Sequence, residues 1–172
     1  EPHESCELAK AFLIGKIYNA RWQLERATRD HPDRVDVKRL KQISEFLAQS
    51  IRNIAGCSDM EQLRGYEGEA AQKYFGVLDE LILQNRSVFS FSGRSRRPPL
   101  DPTNAVLSFV YTLLANACAS ALEGVGLDSY VGFLHRDRPG RTSLALDLME
   151  ELRAVFADRL AITLINTRKI NG

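Results

Sequence analysis

Residues 132–151 read GFLHRDRPGRTSLALDLMEE. A histidine, His135, precedes a turn-forming loop that holds Arg136, Arg138 and Arg141. Thr142 or Ser143 is placed to cap a helix after the loop. Acids break the apolar run of that helix: Asp147 stands between Leu146 and Leu148, and Glu150 follows Met149. A carboxylate in such a run must be neutralised or must bind something positive, because an unpaired buried charge is very costly. Residues three apart on a helix differ by about 60° in direction, so Asp147 and Glu150 share a face. Leu144, Leu148 and Leu152 are expected to hold the adjacent face in the core. The reading is that the acids face a divalent metal and that His135 completes the site.

Outward from this stretch the chain reads as helices. Ser5 to about Asp30 is helical and ends at His31-Pro32, because the residue before proline avoids the helical region. From about Asp33 to Ala55, Val37, Leu40, Ile43, Leu47, Ile51 and Ile54 recur at steps of three and four, which predicts a second, amphipathic helix. Residues 1–57 thus form an N-terminal helical hairpin, and 58–172 form the core that bears the site. A capping box, Ser58 to Glu61, opens a third helix expected to reach about Leu83. Its segment LRGYEGEAAQKYF holds Gly65 and Gly68 on either side of Glu67. Glycine costs roughly 1 kcal/mol against alanine inside a helix, so close approach of another backbone is expected there. Residues 84–100, QNRSVFSFSGRSRRPPL, have no helical pattern. Asp101 then caps a fourth helix with Pro102 at its first position, apolar over most of its circumference and so expected to be buried on most sides. Val155, Phe156, Leu160, Ile162, Leu164 and Ile165 continue the pattern after Glu151. No stretch alternates as a strand would, and the fold class is all-α.

Composition narrows the function. The 172 residues carry a net charge of +1, so nucleic-acid affinity has to come from local basic clusters. Cys6, Cys57 and Cys118 show no metal spacing, which suggests free thiols in a reducing compartment, the cytoplasm. No stretch is read as a membrane span or a signal peptide, and both chain ends look cut from something longer. Arg94, Arg96, Arg97, Arg138 and Arg141 suit phosphate, and Phe89 or Phe91 offers a ring for an unpaired base. Carboxylates with one imidazole suit Mg2+ or Mn2+ better than zinc. Each residue also has an ordinary role: a satisfied histidine, an Asp147–arginine pair, a solvated Glu67. A non-catalytic helical interaction module is the alternative. A di-metal carboxylate bundle would need Glu-x-x-His on two helices, which the chain lacks.

Four blocks, LRGYEGEAAQKYF, RRPPLDPTNAVLSFVYTLL, GLDSYVGFLH and SLALDLMEELR with DRLAITLIN, resemble the CRISPR-associated integrase of the spacer-acquisition complex, with the type I-C variant the nearest in flavour. The resemblance implies a helical catalytic domain whose N-terminal β domain is not in this chain. It implies a metal-dependent DNA endonuclease and integrase that joins a 3′-hydroxyl of captured DNA to a repeat phosphodiester. It carries metal binding to Glu67, His135 and Glu150, with Asp147 a further acid beside them. It also implies double-stranded DNA, a homodimer and a small dimeric partner protein as partners, and no membrane.

Overall fold

The computed structural model of the protein describes residues 2–135 and 138–170. The described residues are all-α, with no strand among them. Helix α1 (Pro2–Asp30) runs antiparallel to α2 (Val37–Ala55), and Asp36 caps α2 by accepting from the Arg39 amide. The hairpin contributes to the core. Cys6, Ala9, Leu13, Ile17, Ala20 and Leu24 form a buried stripe along α1, while Leu8 and Trp22 stay exposed. That stripe packs on α2 and, further along, on α3 and α5.

Helix α3 (Met60–Phe75) starts one residue later than the sequence suggests. Asp59, not Ser58, is the cap: its Oδ1 accepts from the Glu61 amide at 2.7 Å and the Gln62 amide at 2.9 Å. The helix also stops early, at Gly76, and a short 3-10 turn (Leu78–Leu81) follows. The expectation of close backbone approach at Gly65 and Gly68 fails, since a Cβ built on either would meet nothing within 4 Å. These glycines leave bare space on either side of Glu67. Close packing falls instead at Gly15 of α1, where a Cβ would lie 3.0 Å from Cγ of Glu151.

Residues 84–100 are irregular yet well anchored. Phe89 and Phe91 are buried in the core, with Phe91 6.0 Å from Phe75 between ring centroids, so neither ring offers a face to a base. Asp101 caps α4 (Pro102–Gly124) as expected, accepting from the Asn104 amide at 2.7 Å. By length and composition α4 is apolar enough to cross a bilayer, which the reading of the sequence missed. It is also less enclosed than expected. Leu107, Val110, Leu114, Cys118 and Leu122 are buried, but Phe109 and Leu113 are 65% and 52% exposed.

Helix α5 (Ser143–Leu152) passes through a π-helical turn (Arg153–Asp158) into α6 (Arg159–Asn166). Its buried face reverses the expectation. Ala145, Asp147, Met149 and Glu150 point inward, while Leu144 and Leu148 are half-buried and Leu152 is exposed. The acids can face inward because each finds partners there.

Because nothing crowds Gly65 or Gly68, replacing either with alanine should stabilise the protein by about 0.5–1 kcal/mol through helix propensity. The urea midpoint should rise for each variant; a fall would mean that the space is filled.

Candidate active site

The site is built from α1, α3, α5 and the loop before α5. Asp147 is fully enclosed, and its carboxylate is spent on that loop. Oδ2 accepts from the amides of Phe133 at 2.6 Å and Leu134 at 3.0 Å. Oδ1 accepts from the His135 amide at 3.0 Å and lies 2.6 Å from His135 Nδ1. With Nδ1 donating to Asp147, the imidazole orientation is set and Nε2 is turned toward Glu150, 3.9 Å from its Oε1. Gly132 permits this turn: a Cβ there would sit 2.5 Å from Cβ of Ser143. Among the described residues Asp147 pairs with a histidine and the backbone, not with an arginine.

Glu150, 3% exposed, is the electrostatic centre. Lys16 of α1 brings its Nζ to 2.7 Å from Oε2, and Arg153 brings Nη2 to 3.1 Å from Oε1. The same Lys16 ammonium makes a short contact with Oε1 of Glu67 on α3. Burial pushes the Glu150 carboxyl up, but the charges of Lys16 and Arg153, with the Lys16 contact and His135, outweigh it and hold the carboxyl at about 2. Burial lowers the Arg153 guanidinium, and Glu150 with its neighbours more than reverses this, so it is raised. Glu150 Oε2 is buried without a properly aimed hydrogen bond, so its contact with Lys16 is ionic. Glu67 remains about one-third exposed and marks the open side of the cluster.

Arg153 continues into a second buried network. Its guanidinium lies 4.7 Å from the Tyr111 ring centroid, and that of Arg94 lies 5.1 Å from the same centroid. The hydroxyls of Tyr111 and Tyr74 both donate to Asp158, Tyr74 at 2.9 Å. Burial raises the Asp158 carboxyl, against the two hydroxyls and the arginines. This corrects the reading of Arg94 as a DNA contact. Its donors go to Ser95 O, to Asn104 Oδ1 at 2.7 Å and to Ser108 Oγ at 3.0 Å, all within the fold. Arg96, Arg97 and Arg138 are exposed, Arg141 is partly so, and Arg136 lies outside the described residues. A groove of about 410 Å³ starts one residue past Glu67, between Gly68, Ala71 and Gln72 of α3 and Gly93 and Arg96 of the loop. A cleft of about 340 Å³ lined by Arg26, His31, Arg34 and Arg159 shares no residue with the carboxylate cluster.

Three elements thus bring Glu67, His135 and Glu150 to one place, although among the described residues no three of His, Cys, Asp and Glu already stand at the reach of a single ion. The whole chain, residues 1–172, matches the family of the CRISPR associated protein Cas1. The chain belongs to the Cas1 family. It is 53% identical to a CRISPR-associated endonuclease Cas1 of Chlorobaculum tepidum, over 98% of this chain and 49% of that one. Its fold superposes on a casposase bound to its integration product with TM-score 0.81 at 27% identity, covering all of this chain and 46% of the other. It superposes on a chain of a partial Cas6-RT-Cas1–Cas2 complex with TM-score 0.84 at 29% identity, covering 97% and 47%. The chain spans about half the length of the curated Cas1 relatives it matches.

Lys16, Arg153, Tyr74, Tyr111 and Asp158 were not legible as site residues. Lys16 did carry a signal of the kind that marked Asp147: a charge inside an apolar run, here LIGKI. Arg153 and Asp158 bound a π-helical turn, a feature often found at functional sites, which no periodicity announces.

The depressed Glu150 carboxyl makes stability pH-dependent. The folded state favours the ionised form, so the contribution is complete above about 4.5 and fades as pH falls toward 2, on the order of 3 kcal/mol in all. In EDTA, the unfolding free energy of the wild type should fall through that window. Glu150→Gln should show a shallower fall; parallel curves would remove Glu150 as the source.

Proposed function

We propose that the protein is a divalent-metal-dependent DNA endonuclease and integrase that inserts captured DNA into a CRISPR array. The single observation that carries the reading is that the Lys16 ammonium joins Glu67 of α3 to Glu150 of α5, while His135 Nε2 turns toward the same Glu150, 3.9 Å from its Oε1. Two carboxylates and one imidazole nitrogen suit Mg2+ or Mn2+. The fit is supported by Glu150 Oε2, a buried carboxylate oxygen that meets only the Lys16 ammonium, without a well-aimed hydrogen bond. Glu67, His135 and Glu150 would hold the ion. Asp147 is the positioning acid, since all its geometry is spent on His135 and the loop amides. When bound, such an ion supplies Lewis acidity at the phosphate and at the attacking hydroxyl.

The reaction is transesterification. The 3′-hydroxyl oxygen of the captured fragment forms a bond to phosphorus as a P–O bond of the repeat breaks. The proton lost by the hydroxyl balances the one gained by the leaving oxygen. Arg96, Arg97, Arg138 and Arg141 would hold the phosphate backbone of double-stranded DNA, two on either loop. Arg153 neutralises Glu150 and keeps it in place. A second copy of the chain and a small dimeric partner complete the assembly, a reading supported by the likeness to the Cas1–Cas2 assembly. The three buried, unpaired cysteines fit a reducing cytoplasm.

Strand joining by the full protein, with and without Mn2+, tests this. Glu150→Ala and His135→Ala should lose joining while helical circular dichroism is kept. Asp147→Ala should lose about 10- to 100-fold as an outer partner of the imidazole. Undiminished joining by Glu150→Ala would remove the site.

A further inference from the structure

Lys16 is a lysine with 8% exposure, and lysine is almost never buried unless it is paired. Leu13, three residues before it, and Ala20, four after it, lie in the core, so helix periodicity turns the residue inward and its charge has to be met there. Gly15 beside it presses α1 onto α5 at Glu151, which sets the reach of the Lys16 stem. The ammonium then touches one oxygen of Glu67 and one of Glu150. Arg153 and His135 reach Glu150 from the other side, at Oε1. Lys16 is therefore the cation that ties α3 to α5 across the site.

The local charges balance: two carboxylates, Glu67 and Glu150, against two cations, Lys16 and Arg153. A divalent ion on the same carboxylates would leave the cluster with excess positive charge. It would also need the oxygen that the Lys16 ammonium holds. Arg153 is fixed over the Tyr111 ring and is poorly placed to leave, whereas the four-carbon lysine stem is flexible.

We propose that Lys16 is a built-in stand-in for the metal, an ammonium that keeps Glu67 and Glu150 assembled before the ion arrives and that the ion must displace. The proposal rests on the reading that Glu67, His135 and Glu150 bind a divalent ion. Lys16 is in this sense a positioning residue that tunes metal affinity, and its removal strengthens metal binding at the expense of the metal-free fold.

The test is Mn2+ binding to the full protein, measured by titration calorimetry and by the loss of the free-ion electron paramagnetic resonance signal. Lys16→Met, which keeps the apolar stem, should bind Mn2+ at least about fivefold more tightly than the wild type, the lower end of ordinary coupling between two ligands. Its melting temperature in EDTA should fall, and Mn2+ should raise it by more than in the wild type. Lys16→Arg keeps the charge and should stay within about twofold of wild-type affinity. Lys16→Gln is the second neutral variant and is read in the same way if the methionine variant does not fold. Equal or weaker Mn2+ binding by the neutral variants, with binding still lost on His135→Ala, would overturn the role of Lys16 and leave the metal reading standing. Mn2+ binding indifferent to His135→Ala and Glu150→Ala would overturn the metal reading and this proposal with it.

Discussion

A carboxylate closed off from water at Glu150 sets the terms for everything around it. Its desolvation is repaid only if cations come to it through the core, and two do. Lys16 arrives from α1 and Arg153 from the turn that ends α5. Each requirement then propagates. Lys16 reaches the site only because α1 lies against α5, which needs the bare backbone of Gly15. Arg153 stays because Tyr111 of α4 lies beneath its guanidinium and Asp158 lies close behind. The helices are packed by apolar contact, but their mutual register is constrained by this ion cluster. A buried ion pair is weak evidence for net stability, and its better-attested use is to specify one arrangement among many. Here that arrangement brings an acid from α3 and a histidine from a loop to the same carboxylate.

Asp147 performs a different task with the same side-chain chemistry. One residue turn away from Glu150, it takes three backbone amides and a ring nitrogen, so it is saturated as an acceptor. Such a carboxylate has nothing left for a ligand and acts by holding another group still. The two acids of one helix are thus separated into a holder and a held-open donor by what surrounds them. Neighbouring arginines are divided in the same manner. Arg94 and Arg153 flank one tyrosine and serve the fold, while Arg96 and Arg97 stay at the surface.

Much of the architecture was written in local pattern. The helix boundaries at Asp101-Pro102 and at His31-Pro32, the amphipathic α2 and the all-α class follow from caps, prolines and 3.6-residue periodicity. The suspicion of a charged centre followed from acids inside an apolar run. These are properties of neighbours along the chain, and short-range physics suffices for them. The local signals also misled. Glycines in α3 suggested crowding and instead leave space, because a missing Cβ reads the same whether another backbone or solvent fills the gap. Leu144 and Leu148 suggested the core face of α5, and the acids took that face, because their partners, the loop at 133–135 for Asp147 and Lys16 of α1 for Glu150, are distant in sequence or lie off the helix.

The chain by itself therefore determined the helices, the caps and the residue types from which a cation-binding centre is made. It also determined the family, through blocks of residues in fixed order. Only the tertiary structure decided which acid is saturated and which is open, that Lys16 bridges Glu67 and Glu150, that Phe89 and Phe91 belong to the interior, and that half-buried Arg94 is bonded within the fold. The physical reason is distance along the chain. Lys16, Glu67 and Glu150 are separated by long stretches of sequence, and a charge pair formed across three helices has no local periodicity by which to be seen.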